Sequence, residues 1–312
     1  MPAQPIISEM WPRFLLPIIR KEWYQRMTSI QSTVLQFFDV QTSRTASEES
    51  QGIGDFGLVP EYNSPDALGA PAAIQFDQFN ALYPKTFIHK EYAKGVAIER
   101  KLVDDDQRGL ITRRARGLGT SFGTTLAVHA ASVFNNAFSA TQLGGDGQPL
   151  VADAHPNRPS DTTTTFDNKG TTPLDYAAVV ATIQAGKRLK DDRGNPLPVV
   201  YRVLLVPTEL EAKAYEITNA INKPGTADND ANFLGSQGLI TVVDPYLTDS
   251  NNWFMIDPNM ARDHLIWYWR VRPDLAIDPT SDFNLVAKYR GYMRFSYGFD
   301  DWRWIYGHEV AP

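Results

Sequence analysis

Gly95-Val-Ala-Ile-Glu-Arg-Lys-Leu-Val-Asp-Asp-Asp106 is the stretch on which the reading of this chain turns. Gly95 to Lys101 alternates as a half-covered strand does. An acidic triplet, Asp104-Asp105-Asp106, follows it. Then Ile111, Ala115, Leu118, Phe122, Leu126, His129, Val133 and Ala137 recur every three or four residues, the stripe of a helix. Carboxylates suit a helix N-terminus, where free N–H groups and aligned peptide dipoles are positive. The pattern predicts a strand running into one helix of about 33 residues, roughly 50 Å long at ~1.5 Å per residue. Gly117, Gly119 and Gly123 weaken that helix by ~1 kcal/mol each relative to alanine, so they predict a close backbone neighbour or a bend.

Upstream, residues 45 to 84 hold Glu48, Glu49, Asp55, Glu61, Asp66 and Asp77 and neither lysine nor arginine. Glycines and prolines are dense there, which predicts a long acidic loop whose outgoing arm lies near Ile74 to Ile88. Residues 1 to 44 carry Arg13, Arg20, Lys21, Arg26 and Arg44 against Glu9, Glu22 and Asp39. Pro2, Pro5, Pro12 and Pro17 predict an extended arm. Trp11, Phe14, Trp23 and Tyr24 are too apolar for solvent, so the arm is expected against another surface.

Downstream, residues 141 to 171 read as loop. A helix is expected from Thr172-Pro173, with Thr172 as N-cap and Asp175 completing a capping box, to a turn near Asp192-Arg193-Gly194-Asn195-Pro196. Val199 to Val206 reads as a buried strand. Pro207-Thr208-Glu209-Leu210-Glu211 opens a third helix to about Ala220. Strands are expected at Leu239 to Val243, Trp253 to Ile256, Leu265 to Val271 and Phe283 to Tyr297. In the last segment Trp302 and Trp304 are two apart, so in a strand they share a face. The class is α+β.

The 312 residues, with 43% hydrophobic and 21% charged, can bury a sizeable core in one large domain or about two. A net charge of -6 argues against a protein that coats nucleic acid through a basic face. With no cysteine, disulfides and thiolate metal sites are excluded. The longest early apolar run, Phe14-Leu-Leu-Pro-Ile-Ile19, is too short for a membrane span of ~20 residues or a signal core. A chain soluble and intracellular at synthesis is expected.

Catalytic motifs fail on context. Gly52-Ile-Gly54-Asp-Phe-Gly57 matches G-x-G-x-x-G, and Asp77 follows at dinucleotide-site spacing, but Pro60 and Pro65 leave no helix to receive a pyrophosphate. Gly119-Thr-Ser121-Phe-Gly123 matches G-x-S-x-G, yet the periodic face puts Ser121 inside a helix rather than on a strand-to-helix elbow. His89, His129, His155, His264 and His308 lack metal-ligand spacing. Asp228-Asn-Asp230-Ala-Asn232 starts like a calcium loop, but Phe233 stands where glycine is required and Leu239 where glutamate is. Gly186-Lys187-Arg188 lacks the rest of a phosphate loop. No catalytic residue, metal or cofactor is expected.

The order of parts resembles the major capsid protein of tailed bacteriophages, the Hong Kong 97-type fold, and within it the Mu-like major head subunit group. Four strings carry the resemblance. Gly95 to Asp106 looks like the strand leaving the extended loop for the spine helix. Leu150-Val-Ala-Asp-Ala-His-Pro-Asn157 looks like the loop after that helix. Val203-Leu-Leu-Val-Pro-Thr-Glu-Leu-Glu211 looks like a strand-to-helix step of the axial domain. Gly298-Phe-Asp-Asp-Trp-Arg303 looks like the closing strand of the peripheral domain. The resemblance implies an N-terminal arm (1–44), an extended loop (45–94), a peripheral domain with spine helix (95–171), an axial domain (172–260) and return strands completing the peripheral domain (261–312). It implies a non-enzymatic subunit that assembles with itself, as hexamers and pentamers, into an icosahedral virion shell around double-stranded DNA. The protein would be made in the host bacterial cytoplasm, with no membrane partner. A separate scaffold protein, a portal and a decoration protein are the implied partners. Packaged DNA would touch the inner wall non-specifically. Lys85, Lys90 and Lys94 lie near the extended loop, but no covalent cross-link is expected. An encapsulin-like compartment and an α/β serine hydrolase acting through Ser121 are the alternatives.

Charge suggests where copies meet. The acidic loop, with Glu48, Glu49 and Asp55, is expected over a neighbour's basic helix start, with Arg108, Arg113, Arg114 and Arg116.

Overall fold

A computed structural model describes residues 11–30, 32–54, 58–59, 76, 81–105, 109–222, 230–278 and 285–311. The arm is helical where it is described: α1 spans Trp11–Ser29, with Pro17 inside it. This corrects the extended arm. Pro12 sits in the first turn, where its missing N–H has no intrahelical acceptor to lose. Pro17 forfeits a bond at a cost of ~3 kcal/mol. Burial of Ile19, Trp23 and Met27 on one face offsets that cost at ~1.5–3 kcal/mol each. The arm therefore does lie against another surface, and that surface is its own subunit.

After α1 the chain forms β1 (Asp39–Thr42), β2 (Ser47–Ile53), β3 (Ala81–Ile88), β4 (Lys90–Glu99) and a short α2 (Arg100–Asp104). The long helix α3 is Leu110–Asn135, 26 residues. It is shorter than expected because Gly109, at φ +66°, breaks the chain before it. Asp104 closes α2 by pairing with Arg100 at 3.0 Å, and Asp105 caps that short helix. The acids thus end one helix instead of starting the long one. Asp106 lies outside the described residues.

The glycines of α3 explain its partner. A Cβ on Gly119 would overlap the Trp23 carbonyl oxygen, and one on Gly123 would lie 2.9 Å from that of Met27. Two helix backbones meet in this notch, with Trp23 edge-on to Phe122 at 5.4 Å between ring centroids.

Beyond α3 come β5 (His155–Arg158), β6 (Asp161–Phe166), β7 (Lys169–Gly170), α4 (Tyr176–Gly186), β8 (Val203–Val206), α5 (Glu211–Asn219), α6 (Phe233–Ser236), β9 (Ile240–Val243), β10 (Trp253–Ile256), α7 (Pro258–His264), β11 (Leu265–Ile277), β12 (Val286–Phe299) and β13 (Ile305–His308). The expected loop at 141–171 thus contains a hairpin, β5–β6. The cap of α4 is Asp175, whose carboxylate accepts from the Ala178 N–H at 2.6 Å; Thr172 instead meets His308.

Four strands form one sheet in the order β1-β11-β12-β4, and five form another in the order β7-β13-β10-β8-β9. On the first sheet Trp267, Trp269, Tyr289, Met293 and Phe295 are buried. A Cβ on Gly291 of this face would strike Phe122 of α3, and the Tyr289 hydroxyl donates to the Pro12 carbonyl at 2.8 Å. In the second sheet β8 and β10 are buried throughout, which their unbroken apolar runs require.

The C-terminus differs from expectation. Trp302 and Trp304 lie in the turn before β13, and they meet different partners. Trp302 stacks on His155 at 4.3 Å, while Trp304 stands edge-on to Phe134 of α3 at 6.3 Å. β13 pairs with β10, so the last strand joins the five-stranded sheet and not the sheet of β11 and β12. The segment nevertheless packs against the long helix through Trp304.

Candidate assembly surface

The acidic segment begins and ends in an antiparallel pair. β2 faces β3 with Glu48 opposite Phe87 and Glu49 opposite Thr86. Gly52 belongs to β2, so the G-x-G-x-x-G string starts in a hairpin strand. Glu49 is exposed. Hydrogen bonds from the Ser43 and Thr45 hydroxyls hold the Glu48 carboxyl below the usual carboxylate range. Asp55, Glu61, Asp66, Asp77 and Arg108 lie outside the described residues.

The root of this hairpin is tied down by polar contacts. Ser50 donates to Asp300 at 2.6 Å, and the Lys85 ammonium donates to the Leu143 carbonyl. Burial pushes the Lys85 amine down. His89 bridges Ser43, at 2.8 Å, and Ser296 of β12, at 2.9 Å. Phe87, Ile266 and Tyr268 form a small apolar cluster beside it, on the sheet face turned away from α3.

Arg113, Arg114 and Arg116 are exposed on the first turns of α3. The structure brings none of them to Glu48 or Glu49 of the same chain. Arg116 pairs with Glu22 of α1 at 2.6 Å, and Arg114 reaches the Ala97 carbonyl on β4 at 3.3 Å. Sequence reading overlooked a second set of cations. Lys288, Arg290 and Arg294 alternate along β12, and Arg270 on β11 precedes Val271, the register partner of Arg294. The alternation in Lys-Tyr-Arg-Gly-Tyr-Met-Arg was a signal for it, but only strand register says which face it occupies.

The rejected chemistry has ordinary structural partners. Ser121 lies within α3 and accepts from Lys94 at 3.0 Å. His129 bonds to Tyr297 at 2.9 Å, so no histidine reaches that serine from its own helix. His155 meets Asp146 at 2.7 Å and His264 meets Asp300 at 3.0 Å. His308 lies flat on Trp253 at 3.9 Å between the Thr172 and Thr182 hydroxyls. Among the described residues, no three His, Asp or Glu side chains converge to hold a metal. No helix among them is long and apolar enough to cross a membrane.

Comparison with known proteins identifies the architecture. The family model described as phage capsid protein matches residues 84–307. No curated protein matches the chain. Among solved structures, the capsid of Cyanophage P-SCSP1u aligns at TM-score 0.57 and 12% identity, covering 88% of this chain and 86% of that one. A virus-like particle from Pyrococcus furiosus aligns at 0.55 and 10%, covering 94% and 98%. The procapsid of bacteriophage JBD30 aligns at 0.54 and 15%, covering 99% and 77%. The JBD30 capsid decorated with minor capsid protein trimers aligns at 0.52 and 18%, covering 70% and 91%. An α+β chain with a long helix and a paired acidic hairpin thus meets a family match over most of its length: the chain belongs to the phage capsid protein family, and it is a shell-forming major capsid protein of the Hong Kong 97-type fold.

Proposed function

We propose that this subunit belongs to the Mu-like major head subunit group and closes, through hexamers and pentamers, a shell around double-stranded DNA. The observation that carries the shell reading is the family match across residues 84–307. The parts divide as 1–44, arm; 45–94, extended loop; 95–171, peripheral domain with spine helix; 172–260, axial domain; and 261–312, return segment. The pairing of β13 with β10 extends that return into the axial sheet. Closure of repeated contacts between identical copies sets the particle. A scaffold protein, a portal and a decoration protein complete the assembly; the minor capsid protein trimers on the JBD30 capsid are a precedent for the last.

Contacts between copies place Glu48, Glu49 and Asp55 of one hairpin over Arg108, Arg113 and Arg114 of the next subunit. Arg116 contributes less, because Glu22 already occupies it. One exposed pair is worth only ~0–1 kcal/mol, but each recurs at every interface of a shell. Electron microscopy and light scattering of the purified protein, alone and with its scaffold, test the reading. Rings, capsomers or shells are expected. A 35.0 kDa species under every salt and scaffold condition overturns it. Glu48→Lys with Glu49→Lys impairs assembly, and adding Arg113→Glu with Arg114→Glu partly restores it.

A further inference from the structure

Three separate pieces of the chain meet below the root of the β2–β3 hairpin. Tyr83 belongs to β3, Asn157 to β5 and Arg303 to the turn before β13, and all three line one cavity of about 20 Å³. The packing beside it is close. A Cβ on Gly145 would lie 2.8 Å from the carbonyl oxygens of Tyr83 and Pro84, so β3 rests directly on the turn at 143–148. On the other side Trp302 stacks on His155, whose ring meets Asp146.

Each of the three side chains holds a buried polar atom with no hydrogen-bond partner among the described residues: the Tyr83 hydroxyl, Asn157 Oδ1 and Arg303 Nε. Asn157 and Arg303 are each 7% exposed. One unpaired buried donor or acceptor costs ~1–3 kcal/mol, so three in one place cost roughly 3–9 kcal/mol. A ligand that satisfied all three would recover much of that.

Neighbouring contacts fix what each atom can do. The Asn157 amide nitrogen donates to the Asp192 carbonyl at 3.1 Å and lies 3.4 Å from an Asp161 carboxylate oxygen. Both are acceptors, so the amide cannot turn round, and the atom left over is its acceptor oxygen. Arg303 gives its Nη1 to Asp301 at 2.5 Å and its backbone N–H to the same carboxylate at 2.9 Å. Its Nε–H remains, a donor. Burial and the carboxylates of Asp146 and Asp161 push the Tyr83 phenol up, so it keeps its proton and is a donor too.

Two donors and one acceptor define the ligand. A metal cation would suit Asn157 but face the hydrogens of Tyr83 and Arg303. A halide would suit those donors but face the carboxylates of Asp146, Asp300 and Asp301, which also line the cavity. These carboxylates already have partners: His155 for Asp146, Ser50 and His264 for Asp300, and Arg303 for Asp301. Water both accepts and donates, and a buried water makes about three hydrogen bonds. The cavity, about 20 Å³, clears the ~10–15 Å³ that one water needs.

We propose that this cavity is a water-binding site, in which one bound water accepts from Tyr83 and Arg303, donates to Asn157, and ties the hairpin root to β5 and the C-terminal turn. The direct contacts at the same root, Ser50 to Asp300 and Lys85 to the Leu143 carbonyl, are made by the chain alone. This tie depends on a solvent molecule that exchanges.

A structure of the wild-type protein that resolves waters, by electron cryomicroscopy of particles or by crystallography, tests the site. A peak at ~2.7–3.2 Å from the Tyr83 hydroxyl, Asn157 Oδ1 and Arg303 Nε is expected. The structure is repeated in a second buffer that shares no added ion with the first. A peak present in one buffer only assigns the cavity to an ion and overturns the inference. A cavity without a peak, or a Tyr83 hydroxyl turned onto a protein acceptor, also overturns it. Tyr83→Phe removes the hydroxyl and leaves the ring. It should speed amide hydrogen exchange along β3 about fivefold, equivalent to ~1 kcal/mol, with exchange along α4 unchanged. Unchanged exchange along β3, or equal acceleration in both elements, refutes the tie.

Discussion

Gly119→Ala sets two effects of one methyl group against each other. In an isolated helix the change is favourable by ~1 kcal/mol, because alanine loses less backbone freedom. In this subunit the new Cβ lies 3.1 Å from the Arg26 Cβ and 3.2 Å from the Met27 nitrogen, and it overlaps the Trp23 carbonyl. Ordinary carbon contacts are ~3.5–4.0 Å, so α1 must retreat by about 1 Å or the helices must splay. Overpacking of this kind costs ~1–3 kcal/mol. Retreat also loosens Trp23 from Phe122, an edge-on aromatic contact worth ~0.5–1.5 kcal/mol. Gly117→Ala is the internal control, because nothing lies within 4 Å of its Cβ. Propensity cancels between the two variants. Gly119→Ala should therefore be less stable than Gly117→Ala by about 1–4 kcal/mol. Urea unfolding of the purified subunits, followed by tryptophan fluorescence, reads the difference. Equal midpoints, or a more stable Gly119 variant, would show that α1 does not occupy the notch.

The remaining predictions concern pH, the C-terminal turn and Ser121. Desolvation pushes the His308 imidazole down to about 4, against a smaller opposing pull from Asp175. Its unfolded value is ~6.5, so the unfolded chain binds the proton first; this stability is complete above ~6.5 and is lost as pH falls toward 4. The urea midpoint should drop between pH 7 and 4.5, and His308→Gln should flatten that drop; an unchanged slope refutes it. Trp304→Ala should cost ~3–5 kcal/mol in urea, since its ring is fully buried against α3; a loss under ~1 kcal/mol would move it out of the core. Ser121→Ala should leave particle yield unchanged, and wild-type protein should not label with a fluorophosphonate; labelling lost in the variant would restore a hydrolase role.

Periodicity and glycine placement carried much of this architecture. The β10 strand stands where an unbroken Trp-Phe-Met-Ile run put it, because a strand buried on both faces has no polar alternation to blur its ends. The notch at Gly119 and Gly123 was visible as a helix tolerating residues that weaken it. Other features depend on tertiary contacts. Pro17 argued against α1 locally, and burial of Trp23 overrode it. Apolar spacing alone starts the long helix at Asp104, because it is blind to the left-handed Gly109. Thr172 and Asp175 are both good caps, and the demand of buried His308 for a hydroxyl decides between them. Trp302 and Trp304 misled because sequence spacing indicates a shared face only inside a strand. Of the proposed contact residues, Glu48, Glu49, Arg113 and Arg114 were visible as charge; that Lys288, Arg290 and Arg294 share one sheet face follows only from the register of β12 on β4.

The acidic hairpin stands on two feet. It leaves the chain after β1 and returns into β4, and those strands are the opposite rims of the four-stranded sheet. With two strands between them, the feet are roughly 14 Å apart at ~4.8 Å per strand. A one-footed loop would swivel about its attachment when tugged. An arch with both rims as abutments turns the same tug into opposed shear along two strands, with the His89 ring wedged as a keystone between Ser43 and Ser296. A force applied to the hairpin thus reaches both rims of the sheet together.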